Sequence, residues 1–71
     1  MTETLGELVR LHREVKGMSQ RELAEIIEVN ETTIWRVEND RVTPTTDTLV
    51  AIADALEVGI SKLLPTPGGE K

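Results

Sequence analysis

Residues 20–36, QRELAEIIEVNETTIWR, constrain the fold more than any other stretch of this chain. They read as a short helix ending near Ile27, a tight turn through Glu28 and Val29, and a second helix. Asn30 stands at the N-cap of that second helix, with Glu31 and Thr32 in its first turn. The helical period predicts that the first helix buries Leu23, Ala24, Ile26 and Ile27 and that the second buries Ile34 and Val37. Glu31, Thr32, Trp35 and Arg36 are left on the outer face of the second helix. Two helices this short close no core alone, so the flanking segments must cover them.

The length allows one such core. A chain of 71 residues buries only about 60% of the surface its unfolded form exposes, which leaves nothing for a second domain and makes dimerisation a welcome source of stability. With no cysteine and a single histidine, neither a disulfide framework nor a metal cluster is expected. No apolar run approaches the ~20 residues that cross a bilayer, and Met1–Leu5 lacks the character of a signal peptide. The expectation is a soluble cytoplasmic protein without membrane contact. No nucleophile–base pair or phosphate-cradling glycine loop is visible, and Glu22 with Glu25, or Glu28 with Glu31, read as solvated helix charges. Neither enzymatic activity nor a cofactor is expected.

Around the central stretch the chain punctuates itself clearly. A first helix runs within Thr2–Lys16, with Thr2 or Thr4 as N-cap and Gly17 suited to the left-handed position after its end. Its apolar residues form two stripes, Leu5-Val9-His12 and Leu8-Leu11-Val15, of which only one is needed for the core. Ser19, with Glu22 three residues on, has the pattern of a capping box for the second helix. Asn39–Pro44 is a polar loop; Thr45 or Thr46 then caps a fourth helix over Asp47–Glu57, with Leu49, Ile52, Ala53 and Leu56 at core spacing. After a turn at Val58-Gly59, Ile60–Leu64 is a last helical turn, and Pro65 onward suits no regular structure. No strand-like alternation and no internal repeat appear. The expected fold is all-α, five short helices around one core in residues 1–64, followed by a flexible tail in residues 65–71.

The pieces LGELVRLHREVKGMSQRELA, VNETTIWRVENDRVTP and TLVAIADALEVGISKLL, in this order and at these spacings, resemble the Cro and phage-repressor (Xre-like) helix-turn-helix family. The resemblance runs from about Leu5 to Leu64. It implies a compact phage-repressor-like domain in which the second and third helices form the helix-turn-helix and the third enters the DNA major groove. Carried over residue by residue, it gives Gln20 to a DNA phosphate, Glu31, Thr32 and Arg36 to the major groove, and Asn39, Arg41 and Thr43 to the approach to the backbone. A helix fits the major groove and reads it with its exposed side chains. Arg36 is suited to guanine O6 and N7, Glu31 to a cytosine amino group, and Thr32 to a thymine methyl or either polar edge. Trp35 has no single expected role: a base or sugar contact, a shelf for an arginine and plain surface packing all remain open. The resemblance also pairs Arg13 with Glu38 in a buried salt bridge. Where the family prefers glycine after helix ends, this chain has Glu28, Asp40 and Glu57, and His12 stands where a leucine usually enters the core, as a half-buried structural residue.

Charge speaks against the partner that the resemblance implies. The formal net charge is −5, whereas phosphate contacts come from basic surfaces. Six of the 8 basic residues lie in the first 41 positions (Arg10, Arg13, Lys16, Arg21, Arg36 and Arg41), but nine of the 13 acidic ones lie there too. A positive face must therefore come from folding, by Arg10, Gln20, Arg21, Arg36 and Arg41 converging around the third helix. The leading expectation is a repressor that binds double-stranded operator DNA as a homodimer, joined through Val58, Ile60, Leu63 and Leu64 or through the spare stripe of the first helix. The alternative is the same fold used to bind a protein partner.

Overall fold

The computed structural model describes residues 3–65. Four α-helices, α1 (Leu5–Val15), α2 (Gln20–Ile27), α3 (Glu31–Glu38) and α4 (Thr46–Leu56), are followed by a 3-10 turn at Ile60–Leu63. Among the described residues there is no strand, and no helix is long and apolar enough to cross a membrane. The tail expected beyond Pro65 lies outside the described residues, as does Thr2.

Each start follows from local chemistry. Thr4 and Ser19 each accept a hydrogen bond from the backbone N–H three residues on, while the Glu7 and Glu22 carboxylates accept one from the cap's own N–H, so α1 and α2 both begin with complete capping boxes. Thr45 caps α4 through the Thr48 N–H. Asn30 occupies the N-cap position of α3 but makes no side-chain capping bond. The ends are uniform. After α1, α2, α3 and α4 the chain turns left-handed at Gly17 (φ 73°), Glu28 (φ 64°), Asp40 (φ 58°) and Glu57 (φ 60°). The next N–H in each case reaches back to an orphan carbonyl: Met18 to Arg13, Val29 to Ala24, Arg41 to Arg36 and Val58 to Ala53, at 2.8–3.1 Å. The three acidic residues therefore do adopt the conformation for which glycine is the unstrained choice.

The expected fifth helix is only a single 3-10 turn. Just five residues separate Gly59 from Pro65, too few for a stable α-helix, and Leu64 is extended (φ −92°, ψ 129°), as the residue before a proline prefers. The core gathers Val9 from α1, Leu23 and Ala24 from α2, Ile34 and Val37 from α3, Leu49, Ile52, Ala53 and Leu56 from α4, and Leu63 from the 3-10 turn. Burial of each large side chain contributes about 1.5–3 kcal/mol, so this shared core is what holds short helices in place.

At the core boundary one sequence expectation fails and one open choice is decided. Ile26 is 55% exposed. At about 100° per residue, Leu23, Ala24 and Ile27 share one sector of α2 while Ile26 falls outside it. On α1 the stripe centred on Val9 is the one turned inward, leaving Leu11 at 44% and Val15 at 76% exposure, with Leu8 and His12 half-buried.

Candidate nucleic-acid interface

Beneath α2 and α3 lies an ionic floor. The Arg13 guanidinium donates through Nε to Glu38 Oε2 at 2.6 Å and through Nη2 to Oε1 at 3.1 Å, while its Nη1 donates to the Met18 carbonyl at 2.7 Å. Gln20 adds a further bond from Nε2 to Glu38 Oε1, at 3.0 Å. The Glu38 side chain is 1% exposed and that of Arg13 11%. The hydrogen bond to Glu38 raises the Arg13 pKa above its ordinary value, against the opposing effect of burial. One carboxylate thus ties together α1, the start of α2 and the end of α3. Gln20, expected at a phosphate, has part of its amide committed inward and remains half-buried.

The outer surface of α3 carries the residues expected there. Glu31, Thr32, Trp35 and Arg36 are all exposed, since Ile34 and Val37 are drawn into the core and the other helix face must point away. Gln20, Glu31, Thr32 and Trp35 line a shallow groove of about 270 Å³. At the far end of α3 the guanidinium carbon of Arg41 lies 5.5 Å from the centre of the Trp35 ring, within cation–π range. Asn39 donates from Nδ2 to the Trp35 carbonyl at 2.8 Å, closing the end of the helix. Arg41 and Thr43 in the following loop are exposed.

Folding also redistributes the charge. Arg13 is neutralised by Glu38, Lys16 meets Glu57 at 2.5 Å, and Arg21 lies 3.4 Å from Glu25 on the same helix. Arg36 and Arg41 enter no ion pair among the described residues. The α3 surface therefore carries a carboxylate at its head and two free guanidinium groups at its tail, an order that the helix dipole favours. Arg21 is the member of the expected basic set that an internal carboxylate has already engaged.

One constellation escaped the sequence. Asp40 accepts the Thr4 hydroxyl on Oδ2 at 2.6 Å and the Gly6 N–H on Oδ1 at 3.0 Å, so it closes the N-terminus of α1 from across the molecule. Gly6 is essential to this approach: a Cβ there would stand 2.5 Å from the carbonyl oxygens of both Val37 and Glu38. A glycine inside the first turn of a helix, where it costs about 1 kcal/mol, was the available signal.

Of the expected dimer residues, Ile60 and Leu64 are exposed at 37% and 46% and Val58 is half-buried against the core. Leu63 is corrected: at 0% exposure it is spent inside its own chain and offers nothing to a partner.

A family model described as a helix-turn-helix domain matches residues 4–63. The chain belongs to the helix-turn-helix domain family. A control protein of Serratia marcescens, C.SmaI, is 39% identical over 66 residues, which is 93% of this chain and 79% of that protein. Among solved structures, the restriction-modification controller protein C.AhdI from Aeromonas hydrophila superposes with a TM-score of 0.82 at 25% identity, covering 84% of this chain and 91% of that one. The P22 c2 repressor, solved in complex with a synthetic operator, superposes with a TM-score of 0.84 at 27% identity, over 89% of this chain and 96% of the repressor. Within the matched residues, α2, the turn at Glu28 and Val29, and α3 follow one another as helix, turn and helix.

Proposed function

We propose that this helix-turn-helix protein is a sequence-specific DNA-binding transcription regulator, a repressor that occupies a pseudo-palindromic operator as a homodimer. The observation that carries the reading is the outward surface of α3, where Glu31, Thr32 and Arg36 stand clear of the core on a helix fixed from below by the Arg13–Glu38–Gln20 network. The kinship with two control proteins and an operator-bound repressor supports it. A regulator of this kind works in the cytoplasm beside its DNA and catalyses no reaction. Arg36 takes guanine and Glu31 excludes bases that offer no amino group, so one residue attracts while the other rejects. The dimer forms through Ile60 and Leu64, with Val58 at their edge, placing two recognition helices about 34 Å apart. Repression follows from excluding polymerase, with affinity that falls steeply as salt rises.

Selection of bound sequences from a random DNA pool at low salt tests the reading. Wild type enriches a two-part motif, and Arg36→Ala relaxes it at one base position in each half. Failure of the wild type to enrich any motif rejects the proposal. The second reading, a protein-binding module, then takes its place on the net charge of −5 and the exposed Leu11 and Val15.

A further inference from the structure

Trp35 and Arg41 have a geometry that base reading by α3 does not account for. The indole is 44% exposed, and the Arg41 guanidinium lies over its ring. The turn that carries Arg41 is anchored by hydrogen bonds. The Arg41 N–H donates to the Arg36 carbonyl at 2.8 Å, the preceding Asp40 is left-handed, and its carboxylate is bound by Thr4 and Gly6 of α1. Asn39 fixes the Trp35 backbone from the other side. A guanidinium held over a ring at cation–π distance keeps N–H donors directed away from that ring. In an exposed arginine those donors normally sweep a wide cone; here the ring and the anchored turn restrict them, and no carboxylate among the described residues neutralises them.

Resting on the DNA-binding reading, we infer that Trp35 is a positioning residue: its indole holds the Arg41 guanidinium ready for a DNA phosphate flanking the bases that α3 reads. A planar fork of donors matches a phosphate, and a restrained side chain loses less freedom when it binds. Trp35 thus serves affinity through the backbone contact and carries little base preference itself. The anchored turn gives α1 a part in the same contact, because Asp40 orients the loop from which Arg41 springs.

The salt dependence of binding separates this role from a structural one. Each phosphate contact contributes about 0.9 to the slope of log affinity against log salt. The measurement uses the duplex enriched by the wild type, with Arg41→Ala, Trp35→Leu, Trp35→Phe and the double variant Trp35→Leu/Arg41→Ala, each checked for an unchanged melting transition. Arg41→Ala is expected to flatten the slope by about 0.9 per bound chain. Trp35→Leu should flatten it by most of that amount, the double variant by no more than Arg41→Ala alone, and Trp35→Phe should largely restore it. A Trp35→Leu slope equal to the wild type while Arg41→Ala is flattened overturns the positioning role; a wild-type slope in Arg41→Ala overturns the phosphate contact. Neither result disturbs the enriched motif on which the DNA reading stands. A wild type that enriches no motif removes that reading and this inference with it.

Discussion

Glu28, Asp40 and Glu57 share one backbone conformation and differ in what their side chains receive for it. A non-glycine residue in the left-handed region costs about 1–2 kcal/mol. The Glu28 side chain is exposed and makes no hydrogen bond or ion pair among the described residues, so Glu28→Gly should stabilise the fold by about 0.5–1 kcal/mol, after the greater freedom that glycine has in the unfolded chain is allowed for. Asp40 offsets the same cost through its bonds to Thr4 and Gly6. Asp40→Gly should therefore lose about 1 kcal/mol despite relieving the backbone, because two hydrogen bonds at a helix N-terminus outweigh the relief. Midpoints of urea unfolding for the two variants, moving in opposite directions, check the pair of expectations. Two shifts of the same sign would contradict the capping role of Asp40.

Between elements, the connections are few and specific. Glu38 is the point at which α1, α2 and α3 meet, and Glu38→Ala leaves the Arg13 guanidinium buried without its partner. A loss of about 3–5 kcal/mol is expected, a large share of the whole stability of a domain this small; urea unfolding measures it, and a loss under 1 kcal/mol would mean water reaches Arg13 freely. The ion pair of Lys16 with Glu57, which joins the ends of α1 and α4, is a weaker tie. The bond from Lys16 lowers the Glu57 pKa, and the Glu57 side chain is 74% exposed. A carboxyl depressed in the folded state contributes stability above its unfolded pKa and loses it as pH falls through the folded value. The stability difference between wild type and Glu57→Gln should be small at neutral pH, close on acidification below the usual carboxylate range and shrink with added salt. Thermal melts across that range test it, and a gap that widened toward acid would refute the assignment.

Across the whole molecule, charge and apolar surface set what it does with partners. The chain is acidic overall, with a formal charge of −5, yet among the described residues internal pairing engages Arg13, Lys16 and Arg21 and leaves Arg36 and Arg41, at one end of α3, without an ion pair. Binding to DNA through so few cations is weak for one copy, and the proposed pairing of two copies on related half-sites offsets that weakness. Ile60 and Leu64 are exposed on the 3-10 turn while Leu11 and Val15 are exposed on α1. The proposed dimer through the 3-10 turn predicts a melting temperature that rises with protein concentration for the wild type and does not for Leu64→Asp. Leu11→Asp is expected to behave as the wild type. The opposite pattern in calorimetry would move the interface to α1.

Local signals made most of the secondary structure legible. Ser19 with Glu22, Thr4, Thr45, Gly17 and Pro44 act within a few residues, so caps and ends can be read without knowing what lies across the core, while the three acidic residues at glycine positions were reached through family resemblance. The outer face of α3 is legible for the same reason: the helical period puts Ile34 and Val37 on one side and Glu31, Thr32, Trp35 and Arg36 on the other. Pairing of Arg13 with Glu38 was reached through family resemblance, not through spacing. What the tertiary structure decided were matters of distance in space. The inward stripe of α1, the exposure of Ile26, the burial of Leu63, the reach of Asp40 to α1 and the placement of Arg41 over Trp35 depend on how the chain packs, and several were nearly balanced by sequence. Periodicity assigns residues to a face of their own helix; only packing determines which face finds a neighbour, and which charged side chains are left free to meet a partner.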